Sequence, residues 1–204
     1  MGSKAAALSC LILAALGAAC ESVVDRPSPG REVVVGPLVW PQPPERAQIR
    51  FIRAVARPQD LGIQRSIGRR LWDLIVGKEE EWFIRPTGVA ATGTILYVAD
   101  PGAQALWMLD LQAGRFQRIT MAGRERLVSP VAVCLGQDNR VFLADSYLAK
   151  VFVYGVEGKL TGAISDPHLR RPAGVACDVA RDRLYVADSV SHRVWIFGGD
   201  GRPV

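Results

Sequence analysis

Three stretches of the chain run almost wholly apolar and each closes on an aspartate: Ile95-Leu96-Tyr97-Val98-Ala99-Asp100, Val141-Phe142-Leu143-Ala144-Asp145 and Leu184-Tyr185-Val186-Ala187-Asp188. A second apolar stretch precedes each of them and opens on a proline, Pro86, Pro130 or Pro172, with Gly88 and Gly174 two positions further on in the first and third. The prolines stand 44 and 42 residues apart and the aspartates 45 and 43. Three residues before each aspartate comes an aromatic, Tyr97, Phe142 or Tyr185, and seven after it another, Trp107, Phe152 or Trp195. Turn-forming groups separate the runs, among them Thr92-Gly93, Gly136-Gln137-Asp138-Asn139 and Ala180-Arg181-Asp182. The first unit reads as strands at Val89 to Ala91, Ile95 to Ala99 and Ala105 to Leu109, with Phe116 to Ile119 as a fourth, outer strand.

A period near 43 residues with four short strands is the pattern of propeller blades. Strands that scarcely alternate agree with it, because neighbouring blades cover both faces of each sheet. The predicted fold is therefore all-β, a partial ring of about three four-stranded blades over residues 85–204. The recurring residues, Pro86, Gly88, Asp100, Trp107, Pro130, Asp145, Phe152, Pro172, Gly174, Asp188 and Trp195, are read as builders of the blade. Recurrence also argues against chemistry for the three aspartates: an active site needs different residues converging once, whereas a carboxylate repeated in every blade suits a turn that needs its backbone N–H groups accepted.

The patterns Pro-x-Gly-Val-Ala, Leu-Tyr-Val-Ala-Asp-Ser and His192-Arg193-Val194 resemble the NHL repeat, most closely in the third copy. The resemblance implies a propeller of six blades. The chain reaches Val204 about where the third outer strand is due, which predicts a fragment of a longer propeller, with a homodimeric six-bladed ring as the alternative. Three blades leave an apolar face and strand edges open, so self-association is expected. Relatives that the resemblance brings in include lactonases and other hydrolases with calcium at the central channel. The inner runs Val89 to Ala91 and Val131 to Leu135 carry no carboxylate here, and Asp178 alone lies near one.

Ahead of the blades, residues 45–84 form a leader. Ile49, Phe51 and Val55 interleave with Arg50 and Arg53 as a strand from about Ile49 to Val55 that Pro58 and Gly62 end. Ile67, Leu71, Leu74 and Ile75 then recur at helical spacing and predict an amphipathic helix over 65–76, stopped by Gly77. Six prolines between Glu21 and Pro44 make residues 20–44 an extended tether. Residues 1–19 place Lys4 before an apolar run from Ala5 to Leu16 and a small-residue stretch, a secretory signal peptide too short to span a membrane. Gly-Ala-Ala before Cys20 resembles the lipobox of bacterial lipoproteins, with Gly17 where leucine is usual. Cys20 is thus the expected lipid attachment residue; cleavage after Ala19 with a free thiol is the alternative. Both put the chain in a bacterial cell envelope, lipid-anchored or periplasmic.

Chemistry-bearing residues narrow the function classes. Cys134 and Cys177 are the cysteines left in the blades, at equivalent positions of apolar strands, and they read as buried free thiols in a compartment that would also let them pair. With His168 and His192 the only histidines, a three-ligand zinc site is not suggested, and no phosphate loop, nucleophile elbow or paired-carboxylate motif appears. No catalytic residue, metal or cofactor is assigned. A net charge of +5, dispersed over arginines, does not make a nucleic-acid patch, and export disfavours RNA. Lys150 and Arg193 each stand five residues after their aspartates, and Gly102, Ala103, Gln104, Tyr147, Leu148, Val190 and Ser191 fall in the intervening turns. Hydrophobic residues at 49% support a real core. The reading is a non-catalytic scaffold for protein, peptide or envelope glycan, with a fragment of a propeller hydrolase as the alternative.

Overall fold

A computed structural model of the chain describes residues 39–41, 44–63 and 81–204, and divides it into two units at Ile52. In the first unit β1 (Val39–Trp40) and β2 (Ile49–Arg50) form an antiparallel pair, Trp40 opposite Ile49. Two expectations change here. Val39 and Trp40, inside the stretch read as a spacer, take up strand pairing, and the strand read as continuing to Val55 stops at Arg50. Residues 51–55 are exposed but for half-buried Val55 and form no ladder; in the second unit the N–H groups of Ala56 and Arg57 turn onto the Asp60 carboxylate (3.0 and 3.1 Å), which starts the 3-10 turn Pro58–Leu61. The predicted helix over 65–76, the signal segment and Cys20 lie outside the described residues.

The second unit carries the blades. The first is β3 (Gly88–Thr92), β4 (Ile95–Asp100), β5 (Ala105–Asp110) and β6 (Arg115–Ile119), paired antiparallel in that order. A two-stranded hairpin, β7 (Met121–Ala122) with β8 (Glu125–Arg126), leads to the second blade. That blade is β9 (Pro130–Leu135), β10 (Val141–Asp145), β11 (Lys150–Tyr154) and β12 (Leu160–Ile164). The third consists of β13 (Pro172–Asp178), β14 (Arg183–Asp188) and β15 (Arg193–Gly198). Each strand turns tightly into the next through turn-forming residues, so every blade is a meander of local hairpins.

Registers show which side chains share a face. Val89, Val98 and Trp107 lie in one row across the first blade, with Val133, Leu143 and Phe152 in the matching row of the second and Val175, Val186 and Trp195 in that of the third. The opposite face of the first blade holds Ala90, Tyr97 and Met108 in one row and Gly88, Ala99 and Leu106 in the next. These opposite-face residues pack on Val133, Leu143 and Phe152, burying Tyr97, Ala99 and Leu106 completely. The second interface repeats the arrangement: Phe142, Ala144 and Val151 meet Leu184, Val186 and Phe197. Burying each aromatic is worth roughly 2–3 kcal/mol. On the free side of the first blade Ile63, Leu61 and Phe83 cover Val98, Trp107 and Leu109, with the Phe83 ring edge-on to Trp107 at 5.5 Å.

Two features tie blade to blade at the inner strands. A Cβ on Gly88 would stand 3.0 Å from the Ala132 Cα and 3.1 Å from the Val131 carbonyl oxygen, so the close approach of β3 to β9 requires glycine. Between β9 and β13 a disulfide joins Cys134 to Cys177, which corrects the reading of two free thiols. Cys134 sits on the face the second blade turns toward the third and Cys177, one register step from the equivalent position Ala176, on the face that receives it. Their Cα atoms are 5.9 Å apart, within bonding reach.

Candidate functional site

Every blade has two ends. At one, the three aspartates close their second strands; at the other lie the turns after the first and third strands. The aspartates define the first end because their carboxylates gather two loops each. Asp100 accepts hydrogen bonds from the N–H groups of Ile84 (2.7 Å) and Arg85 (2.9 Å) in the incoming connection and of Ala103 (2.9 Å) in the following turn. Asp145 does the same for Val128 (2.8 Å) and Ser129 (3.1 Å) on one side and Tyr147 and Leu148 (both 3.1 Å) on the other. Asp188 takes Arg170 (2.6 Å), Arg171 (2.8 Å), Val190 (3.0 Å) and Ser191 (2.8 Å). All three are buried, at 0, 0 and 3% exposure, and fully engaged. Burial alone would raise the Asp188 pKa, but the Ser191, Arg171 and Arg170 N–H groups and the Ser191 hydroxyl outweigh it and hold it down at about 2.

The prolines complete this geometry. The two donors in each incoming connection are the two residues before Pro86, Pro130 or Pro172, and Pro130 and Pro172 pair directly with Asp145 and Asp188. Proline needs no acceptor at the position the carboxylate does not reach. In the turns, Gln104, Ala149 and His192 each stand four residues after the aspartate with φ of 50, 53 and 54°, a left-handed conformation that sequence reasoning did not single out. The signal was their fixed offset from the aspartate; their dissimilar side chains hid it.

These pinned loops carry the exposed groups of the end. Tyr147 is 75% exposed, Ile84 66% and Val190 51%, whereas Ala103 is buried. Arg85, Arg170, Arg171 and Arg193 are exposed in or beside them. Lys150 pairs with Glu125, and Arg193 lies over the Trp195 ring at 5.6 Å. His168 bonds Asp166 and stands 5.5 Å from Trp195, while exposed His192 takes its place in the turn. The loops that the three buried aspartates fix contain no other carboxylate, and nearby Glu125 pairs with Lys150 while Asp166 bonds the His168 ring. The opposite end differs: Arg140 pairs with Asp182, Arg181 with Asp178, Arg115 with Asp110 and Arg202 with Asp200. A shallow groove of about 270 Å³ there is lined by Arg140, Thr161 and Asp200, but Arg140 is already held by Asp182 and the Gly199 carbonyl. No group of three or more His, Cys, Asp or Glu able to hold a metal occurs among the described residues.

The blade geometry has a counterpart in a family model. Residues 169–197, which span the third blade from Leu169 to Phe197, match the NHL repeat. The third blade is similar to an NHL repeat. Hydrazine synthase of Kuenenia stuttgartiensis shares the propeller fold, at a TM-score of 0.50 and 18% identity over 59% of this chain and 36% of that one. A nidogen/laminin complex matches at 0.48 and 22% over 61% and 50%, and a catalytically inactive virginiamycin B lyase from Staphylococcus aureus with quinupristin at 0.48 and 12% over 57% and 39%. The chain spans between about a third and a half of the length of these structures. Comparison with curated proteins finds no match. A propeller of this kind is a rigid platform presenting loops.

Proposed function

We propose that this chain is an exported, lipid-anchored, non-catalytic scaffold whose aspartate end binds an acidic protein or peptide segment. One observation carries the reading: every blade uses a buried carboxylate to fix two loops at the same end, and those loops project arginines around the apolar tips Ile84, Tyr147 and Val190 and contain no exposed carboxylate. A rigid, cationic and partly apolar surface favours an anionic, amphipathic ligand and loses little entropy on binding. Non-catalytic use is supported by the engagement of all three recurring carboxylates in backbone hydrogen bonds, which leaves none free as acid or base. Export and anchoring rest on the signal-like residues 1–19 and on Cys20.

The test is titration of the purified chain with poly-glutamate and poly-lysine peptides at low ionic strength, followed by tryptophan fluorescence. Poly-glutamate is expected to bind, and the double change Arg170→Glu and Arg171→Glu to weaken it about tenfold. Raising salt past the Debye regime should weaken it further. Equal binding by Lys159→Glu and Arg202→Glu variants at the opposite end serves as control. No binding of poly-glutamate, or equal loss from changes at either end, overturns the assignment. Labelling with radioactive palmitate tests the anchor, and unchanged labelling of Cys20→Ser refutes it.

A further inference from the structure

One interface between blades holds a disulfide and the other does not, although the two correspond position for position. In the first blade Ala90 pairs with Tyr97 and in the second Cys134 pairs with Phe142, each partner standing three residues before its aspartate. One register step along, Leu135 pairs with Val141 in the second blade and Cys177 with Leu184 in the third. Between the first and second blades this place is therefore filled by Ala90 and Leu135, both packed into one apolar cluster. Between the second and third it is filled by Cys134 and Cys177, bonded to each other and packed into the next cluster. Apolar contact alone stacks the first pair of blades. The disulfide thus adds a covalent tie to a contact that does not require one. Both cysteines are half-buried rather than sealed in the core.

We infer that the Cys134–Cys177 bond is a redox-controlled joint that fastens the third blade to the second and leaves the first interface indifferent to oxidation. The co-reactant is a dithiol. Its thiolate attacks one sulfur of the bond, which gives a mixed disulfide and a cysteine thiolate that takes up a proton. The second thiol of the reagent then displaces the other cysteine, so the chain gains two electrons and two protons as a pair of thiols and the dithiol departs as a disulfide. Exchange with an oxidising disulfide runs the same steps backwards. Reduction removes the constraint across a sequence separation of 43. The ties that remain between these blades are non-covalent: Arg140 to Asp182 (2.7 Å), the Gln137 amide to the Val179 carbonyl (2.9 Å), the Ser146 hydroxyl to the Pro172 carbonyl (2.6 Å) and the apolar cluster. Opening then concerns β13 to β15, because the first interface holds no cysteine. Arg170, Arg171 and Arg193 travel with the third blade and Arg85 with the first, so the oxidation state sets how firmly the aspartate end is held together, whatever that end binds.

Native-state hydrogen exchange of the purified full chain, with and without dithiothreitol, is the test. Reduction is expected to speed exchange of the β13 to β15 amides about tenfold or more and that of β4 and β5 by less than about twofold, and replacing dithiothreitol by oxidised glutathione to restore the first rates. Cys134→Ala with Cys177→Leu installs the pair of the first interface at the second. That variant should fold with the far-ultraviolet circular dichroism of the parent and exchange at one rate whether or not dithiothreitol is present. Equal acceleration in all three blades would make the bond a support of the whole body and overturns the joint. Unchanged exchange in β13 to β15 once alkylation shows both thiols free, a bond that dithiothreitol leaves intact in the folded chain, or a double variant that does not fold or still responds to dithiothreitol overturns it as well.

Discussion

Replacing Asp145 by alanine removes one buried carboxylate and strands the N–H groups of Val128, Ser129, Tyr147 and Leu148. A hydrogen bond to a charged acceptor contributes about 1.5–3 kcal/mol net, and a buried donor left unpaired costs about 1–3 kcal/mol. Two loops are held by one side chain, so the bonds are not independent and a simple sum overstates the loss. A loss of about 4 kcal/mol is the working magnitude, a large share of the stability of an ordinary domain. For a chain of this size that corresponds to a fall in Tm of about 10 °C. Asp145→Asn keeps one carbonyl oxygen and loses the charge, and should cost about half as much. Urea unfolding followed by tryptophan fluorescence measures both. Native-state hydrogen exchange gives the local check: the amides of Val128 and Leu148 should lose protection in Asp145→Ala while those of β4 keep theirs. A loss below about 1 kcal/mol, or equal losses for alanine and asparagine, would refute the idea that this carboxylate fixes both loops.

Three further outcomes follow from the same geometry. Cutting the Cys134–Cys177 bond, by dithiothreitol or Cys134→Ser with Cys177→Ser, frees a closed loop with a sequence separation of 43 and should lower stability by up to about 4 kcal/mol, read as the shift in urea midpoint; an unchanged midpoint would contradict a bond between blades. Asp188, held near a pKa of 2 against 3.8, ionises more readily folded than unfolded, so its contribution of about 1–2 kcal/mol is present above pH 3.8 and disappears as pH falls through 2; Asp188→Asn should flatten acid unfolding in that window. Gly88→Ala forces a methyl to 3.0 Å from backbone atoms of β9 and should cost about 1–3 kcal/mol in the same urea assay, whereas at Gly174, where the nearest atom is 3.7 Å away, the alanine change should fall within about 0.5 kcal/mol of neutral.

The blades were legible because their makers repeat. Pro86, Pro130 and Pro172, the three aspartates and the aromatics at Trp107, Phe152 and Trp195 recur at nearly constant spacing, and a spacing is visible in one sequence. Strand continuity ahead of the blades was not. Ile49 to Val55 alternates as a strand should, yet nothing in alternation says whether a partner strand exists, and pairing stops at Arg50. The cysteines misled for a related reason. Equivalent positions in successive repeats look like the same structural slot filled twice, which suggests two separate buried thiols. The turn between β9 and β10 is one residue longer than that between β13 and β14, so Cys134 pairs with Phe142 but Cys177 with Leu184: one register step apart, they lie on opposite faces of their blades and meet in the shared interface.

The arginines of the aspartate end were hidden by the device that places them. A carboxylate that reads only backbone N–H groups places no demand on the side chains it fixes, so Ile84-Arg85, Val128-Ser129 and Arg170-Arg171 occupy one structural position with unrelated chemistry. The left-handed residues Gln104, Ala149 and His192 show the same separation, a shared backbone conformation under three different side chains. Residues that fix a fold of repeats are recognisable because they agree from copy to copy; residues that select a ligand differ from copy to copy, and within a single chain difference carries no mark. The arginines of the aspartate end therefore become a surface only after the hydrogen bonds have put Arg85, Arg170, Arg171 and Arg193 on the same end and turned the carboxylates among them inward. Charge reversal at such positions should leave the platform standing, since the bonds that hold these loops end on the backbone.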